Sequence, residues 1–311
     1  MKKWVLILII VIVVIGLMVS FAYSALHSDM FLFRIPRNMI QNLFSKDTSS
    51  SFGFTKSFDI NDTFSDSING IKKIEVSSVS SEITVFITEE PDVTVKLYGT
   101  YRTNREKSVK LIMNRSGSTL TFKVDYPKTF GFNINTSSDL QLDVYLPKSY
   151  VDELSLSTVS GDIRAKELFN QKNRFETVSG DVVIDKLLFT EVWANTVSGD
   201  INFTVESADS QTLLDLESVS GRVYLDYLTK IGDGKAQEQV RIETVSGEVD
   251  IKLPKDSAFK FRFNSTSGKL KSDFPMALES SGRSSSTGTV NNGNSIFTVE
   301  TVSGNFRINQ K

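Results

Sequence analysis

Short runs in which every second residue is apolar recur from Ile71 to the end of the chain. Ile74-Glu-Val76, Ile83-Thr-Val85-Phe-Ile87, Val93-Thr-Val95-Lys-Leu97, Leu120-Thr-Phe122-Lys-Val124 and Leu140-Gln-Leu142-Asp-Val144-Tyr-Leu146 all show it. A period of two sends successive side chains to opposite faces, so each run predicts a half-buried strand. Glu90-Pro91-Asp92 and Ser116-Gly117-Ser118 separate the strands as turns.

Beyond Tyr150 the alternation becomes a repeat. Thr158-Val-Ser-Gly161 returns as Thr177-Val-Ser-Gly180, Thr196-Val-Ser-Gly199, Thr244-Val-Ser-Gly247 and Thr301-Val-Ser-Gly304. Ser218-Val-Ser-Gly221 and Ser265-Thr-Ser-Gly268 are close variants, and Ser78-Val-Ser-Ser81 is a degenerate early copy. The glycines step by 19 (161 to 180), 19 (180 to 199), 22 (199 to 221), 26 (221 to 247) and 21 (247 to 268), then by 36 to Gly304. A near-fixed period of this size is the signature of stacked units. Apolar positions fall two and five residues before each glycine (Val159 and Leu156, Val178 and Phe175) and two and four after it (Ile163 and Ala165, Val182 and Ile184). Each unit therefore reads as two short strands around a corner. The expected fold is all-β, a β-helix-like solenoid of coils about 19–26 residues long with an irregular N-terminal β cap.

At such a corner Gly161, Gly180, Gly199, Gly221, Gly247, Gly268 and Gly304 keep a Cβ from crowding the adjacent coil. The recurring tag serines suit a ladder of hydroxyls meeting backbone polar groups at the corners. If coils stack in chain order, Lys166 lies over Asp185, Lys252 falls between Asp226 and Asp273, Asp250 meets Lys271 and Glu248 meets Lys269.

The start of the chain is different. Met1-Lys2-Lys3 precedes an uncharged apolar run from Trp4 to Tyr23, long enough at 1.5 Å per residue to cross about 30 Å of hydrocarbon. Lys2 and Lys3 before the run place the N-terminus in the cytoplasm and the body outside. The rival is a signal peptide cut before Ala25. The chain thus divides into a membrane anchor (1–27), a juxtamembrane segment and linker (28–70), an irregular β cap region (71–150) and the repeat array (151–311). The Ser-, Gly- and Asn-rich stretch 277–295 reads as a polar loop on a late coil.

With 311 residues and 40% hydrophobic content the chain can build a sizeable core. Its 35 basic and 37 acidic residues leave a net charge of −2, which supplies no pull towards nucleic acid. There is no cysteine, hence no disulfide, thiol nucleophile or lipidated cysteine. The single histidine, His27, abuts the apolar run, so a Ser–His triad has no material. Ser257-Ala-Phe-Lys260 has the Ser-x-x-Lys spacing without its companion motifs, and Gly232-Asp-Gly234 reads as a turn. No catalytic residue and no resident cofactor is expected. One constellation suggests an ion: Asp162, Asp181 and Asp200 fall on successive rungs, where like charges repel unless solvated or bridged by a cation such as Ca²⁺. Ordinary turn aspartates are the competing reading.

Ile74-Glu-Val-Ser-Ser-Val-Ser-Ser-Glu-Ile-Thr-Val85, then Val144-Tyr-Leu-Pro147, then the serial Thr-Val-Ser-Gly-Asp strands resemble the DUF4097 family, bacterial β-strand-repeat proteins labelled as candidate adhesins. The closing Phe297–Ile308 also resembles the family's last repeat. The resemblance implies a β-helix-like protein of the bacterial envelope with no catalytic residues to carry over. Two functions follow as expectations. One is a single-pass, membrane-anchored, extracytoplasmic binding module that meets an envelope protein or glycan; the other is an envelope-stress sensor acting through a membrane partner.

Overall fold

The computed structural model describes residues 56–127, 136–206, 211–232, 237–282 and 284–311. The expected membrane run 4–23 lies outside them. Among the described residues no helix is long and apolar enough to cross a membrane.

Every described element is a strand. The first seven are β1 (Lys56–Ser67), β2 (Lys73–Ser77), β3 (Glu82–Thr88), β4 (Asp92–Thr103), β5 (Lys110–Ser116), β6 (Thr119–Asp125) and β7 (Thr136–Pro147). The repeat array supplies β8 (Glu153–Ser157), β9 (Ile163–Ala165), β10 (Lys172–Glu176), β11 (Val182–Leu187), β12 (Glu191–Thr196), β13 (Ile201–Val205), β14 (Thr212–Ser218), β15 (Val223–Tyr227), β16 (Glu238–Thr244) and β17 (Val249–Leu253). The chain ends with β18 (Phe259–Ser265), β19 (Leu270–Ser272), β20 (Ala277–Ser281), β21 (Ser285–Val290), β22 (Ser295–Thr301) and β23 (Phe306–Gln310).

They form two sheets. Sheet A has eleven strands in the order β1-β4-β7-β3-β9-β11-β13-β15-β17-β23-β19, and sheet B twelve in the order β20-β21-β18-β22-β16-β14-β12-β10-β8-β2-β6-β5. Each tag joins a strand of sheet B to a strand of sheet A, and each strand pairs in parallel with its counterpart in the next coil. The alternation fixes the faces. In β12, Val192, Ala194 and Thr196 are buried while Glu191, Trp193 and Asn195 look outward. Inward residues of both sheets meet in one apolar cluster running from Ile71 to Ile308.

The tag's valine does not take the inward place the hydrophobic pattern assigns it. Val159, Val178 and Val197 are half-buried, and the threonine one residue earlier faces inward instead. The corner needs a buried hydroxyl there more than it needs a methyl pair, as described below.

At the N-terminal end Ser78–Ser81 is a true rung: β2 and β3 pair in parallel with β8 and β9. Beyond it β6 and β7 continue in parallel, and the antiparallel strands β5, β4 and β1 then finish the two sheets. Residues 56–67, within the stretch expected as linker, form the edge strand β1 along the full length of β4. The 277–295 stretch, expected as a polar loop, is mostly the hairpin β20–β21, antiparallel on β18.

The C-terminal coils do not stack in chain order. β22 lies between β16 and β18, and β23 between β17 and β19. The last coil is therefore an inner rung. The expected partners change with it: Asp250 stands opposite Arg307 rather than Lys271, and Lys252 has Asp226 on one side but Asn309 on the other. Glu248 pairs with Arg307 at 2.8 Å instead of with Lys269, and Asp226 pairs with Lys311.

Candidate functional site

The corners are built by three residues of the tag, its threonine, its serine and its glycine. The Thr177 hydroxyl accepts the Gly180 N–H at 3.1 Å and donates to the Gly161 carbonyl one coil back at 3.1 Å. Thr196 repeats this between Gly199 and Gly180. The Ser179 and Ser198 hydroxyls donate to the Val159 and Val178 carbonyls, each at 3.4 Å. Ser160, Ser220, Ser246 and Ser303 likewise donate to a backbone carbonyl, as a structural ladder would. The glycines earn their place by close approach and not by an unusual φ. A Cβ on Gly199 would overlap the Gly180 carbonyl oxygen, and the same holds from coil to coil along Gly161, Gly180, Gly221, Gly247, Gly304 and Gly268. Ser81 stands where the series begins. There the Tyr126 hydroxyl lies within hydrogen-bonding distance of Ser78, Ser80 and Ser81 hydroxyls and accepts the Ser80 N–H at 3.2 Å.

Asp162, Asp181 and Asp200 do fall on successive rungs, and their carboxylates turn along the stack. Asp162 accepts the Asp181 N–H at 2.9 Å, Asp181 accepts the Asp200 N–H at 2.8 Å, and Asp200 accepts the Arg222 N–H at 2.7 Å. Asp162 also pairs with Arg164 at 2.6 Å. Among the described residues no group of three or more His, Cys, Asp or Glu could hold a metal ion.

The outward face of sheet A offers a different constellation near its N-terminal end. Pairing of β3 with β7 puts Phe86 beside Tyr145, and pairing of β4 with β7 puts Lys96 opposite Asp143 and Tyr98 opposite Gln141. The rings of Phe86 and Tyr145 stack at 5.3 Å and 21°. Lys96 Nζ covers the Tyr145 ring at 4.7 Å. Asp143 sits beneath them, only 8% exposed although on an outer face. It accepts the Tyr98 hydroxyl at 3.2 Å and is hydrogen-bonded by Tyr145 as well. Burial raises its pKa, against the opposing pull of the two phenols and Lys96. Burial, and then the Asp143 charge, raises the pKa of both tyrosines. Gly99, at φ +124, lets β4 pass the Asp139 carbonyl where a Cβ would collide, and so holds Tyr98 in place. The result is an aromatic surface whose polar undersides are pinned, while Phe86 and Tyr98 remain 42% and 39% exposed. Rigid aromatic side chains of this kind lose little entropy when they meet a partner.

Hydrophobic periodicity alone did not reveal this surface, because its members come from three strands 45 to 59 residues apart at the extremes of the pairings (Tyr98 to Asp143, Phe86 to Tyr145). The available signal was two aromatics at the outward, normally polar, positions of β3 and β4.

The family model for Toastrack DUF4097 matches residues 71–309. The chain belongs to the Toastrack DUF4097 family. The Toastrack match covers the whole tag series and the first coils that carry Phe86, Tyr98 and Asp143. Among solved structures, the chain is similar to a candidate cell adhesion protein from Clostridium sporogenes (16% identity, 82% of this chain and 100% of that one, TM-score 0.38). It is also similar to a candidate adhesin from Bacteroides fragilis (13%, 83% and 98%, TM-score 0.41). A third is a candidate lipid-binding protein from Parabacteroides distasonis (12%, 81% and 97%, TM-score 0.36). No curated protein matches.

Proposed function

We propose that this Toastrack protein is a non-enzymatic, adhesin-like binding module of the bacterial envelope. Residues 4–23 anchor it in the membrane with the N-terminus cytoplasmic, and the β-solenoid stands on the extracytoplasmic side. Its contact with an envelope protein or glycan is made by the Phe86–Tyr98–Tyr145 surface. The observation that carries this reading is the exposure of Phe86 and Tyr98 over a carboxylate that both adjoining phenols hydrogen-bond. Aromatic anchors fixed on strands and rimmed by polar groups are the arrangement that dominates binding energy at protein surfaces. The tag serines are engaged with backbone carbonyls, and no described histidine or cysteine stands near them to act as a base or nucleophile.

The test is the yield of envelope partner crosslinked to the full-length protein, which the anchor at 4–23 does not by itself supply. Phe86→Ala with Tyr98→Ala is expected to reduce that yield about tenfold or more, the effect of losing two hot-spot aromatics, with the melting temperature little changed. An undiminished crosslink yield in the double variant would remove this surface from the function.

A further inference from the structure

The outward face of sheet B carries a repeated charge pair. On β10, Arg174 donates to Glu176, two residues along the same strand, at 2.6 Å. On β16, Arg241 Nε donates to Glu243 at 2.8 Å in the same arrangement. Residues two apart on a strand share a face, so each pair neutralises itself.

Between these strands the pattern breaks. The register sets Trp193 beside Arg174 and Asn195 beside Glu176 on β12, then Asp215 beside Trp193 and Glu217 beside Asn195 on β14. The next rung returns to Arg241 and Glu243. Two adjacent rungs thus present an indole, a carboxamide and two carboxylates where their neighbours present ion pairs. All four side chains lie on the outward face and are half-buried. Arg174 and Arg241 are held by their own glutamates. One oxygen of Asp215 is sealed from solvent with no hydrogen-bond partner in the protein.

We propose that this gap is a binding site for an amino sugar. The proposal rests on sheet B and stands apart from the Phe86–Tyr98 surface. Neither carboxylate has an ion-pair partner among the described residues, since Arg241 beside Asp215 is held by Glu243 and Arg174 by Glu176, and a sugar ammonium supplies a partner together with three N–H donors. Trp193 offers the flat apolar surface on which the C–H face of a pyranose ring, with the ammonium at its rim, is attracted. Asn195 can donate to and accept from ring hydroxyls. Burial is the main cause that raises both carboxyl pKa values; Glu243 adds to it at both groups and Asp215 at Glu217, against the opposing pull of Arg241 on both and of Arg174 on Glu217. The net rise is the sense expected of acidic groups waiting for a donor. An anionic ligand meets Asp215 and Glu217 on one face of β14 and is repelled. A neutral sugar leaves the two carboxylates uncompensated. A lysine peptide brings the charge without the rigid ring face that matches the indole.

The experiment is calorimetric titration of the full-length protein with a glucosamine tetramer, its N-acetylated counterpart and pentalysine. The expected result is binding of the glucosamine tetramer, about tenfold or more weaker binding of the acetylated form, and weaker binding again of pentalysine. Asp215→Asn with Glu217→Gln keeps side-chain shape and should reduce glucosamine binding about tenfold. Trp193 fluorescence should shift on binding in the parent protein. Equal affinity for the acetylated and free tetramers would overturn the proposal, as would tighter binding of pentalysine, no binding of any of the three, or an unaltered affinity in the double variant.

Discussion

The carboxylate of Asp181 accepts the backbone N–H of Asp200, one coil on, at 2.8 Å. Two like charges on adjacent rungs are thus joined through an amide dipole, since each carboxylate binds the N–H of its neighbour's own residue. Hydrogen bonds to an ionised acceptor are the stronger kind, which offsets the repulsion along the row.

This arrangement predicts the behaviour of Asp181. Asp181→Asn retains an oxygen acceptor and removes the central charge, so its melting temperature should equal or exceed that of the parent. Asp181→Ala removes the acceptor and should cost about 1 kcal/mol. Because the carboxylates are turned onto amides, Ca²⁺ in place of EDTA should leave the parent's thermal unfolding unshifted. A Ca²⁺-dependent rise abolished by Asp181→Asn would show instead that a cation bridges the row.

The corner glycines predict a sharp positional contrast. Gly199→Val drives a side chain into the Gly180 carbonyl and the Thr196 hydroxyl, and should cost about 3 kcal/mol or more. Asn202→Val, three residues on at an outward position of β13, should stay within about 0.5 kcal/mol of the parent. Thermal unfolding of the two variants side by side checks this, and equal melting temperatures would contradict the stacking described for the tag.

A pH dependence follows from Asp215 and Glu217. Their folded pKa values are raised above the ordinary 3.8 and 4.5. Between those ordinary values and the raised ones the folded state binds more protons than the unfolded state, so their contribution to stability grows as pH falls through that window. Above it, both are half-buried charges that cost stability. Asp215→Asn with Glu217→Gln should therefore melt higher than the parent at neutral pH, and the difference should shrink as the pH approaches 4.5. A difference that widens on acidification would give the shifts the opposite sign.

Much of this fold is legible in the sequence. The tag placed each glycine against the next coil, and the degenerate Ser78–Ser81 copy is indeed a rung. Four features escape for physical reasons. Hydrophobicity assigned the tag valine to the core, whereas the corner buries Thr177 or Thr196 because its hydroxyl satisfies two backbone groups at once. The alternation of Phe58, Ile60 and Phe64 was present in β1, yet an edge strand packed on one side carries so much polar surface that it resembled linker. The rung order at the C-terminal end depends on which coil finds the better partner. The step from Gly268 to Gly304 is silent on whether the chain moves outward or turns back. The consequence is visible on sheet B, where Glu300 comes to lie beside Glu243 and extends a row of like charges that chain order would have broken. The Phe86–Tyr98 surface was hidden for the same reason, since strand pairing and not sequence proximity brings Asp143 and Tyr145 to it.

That both faces are composed by pairing, with the last coil as an inner rung, is tested most directly by crosslinking. The chain has no native cysteine, so a pair introduced at chosen positions reports one contact. Asp250 and Arg307 occupy adjacent strands in register, about 4.8 Å apart, whereas Asp250 and Lys271 are separated by the intervening rung at about twice that spacing. A disulfide requires Cα atoms within about 7 Å. Under oxidation, Asp250→Cys with Arg307→Cys should give an intramolecular disulfide detectable by peptide mass spectrometry, and Asp250→Cys with Lys271→Cys should not. The reverse outcome, a disulfide between positions 250 and 271 and none between 250 and 307, would mean that the coils stack in chain order and would contradict the architecture.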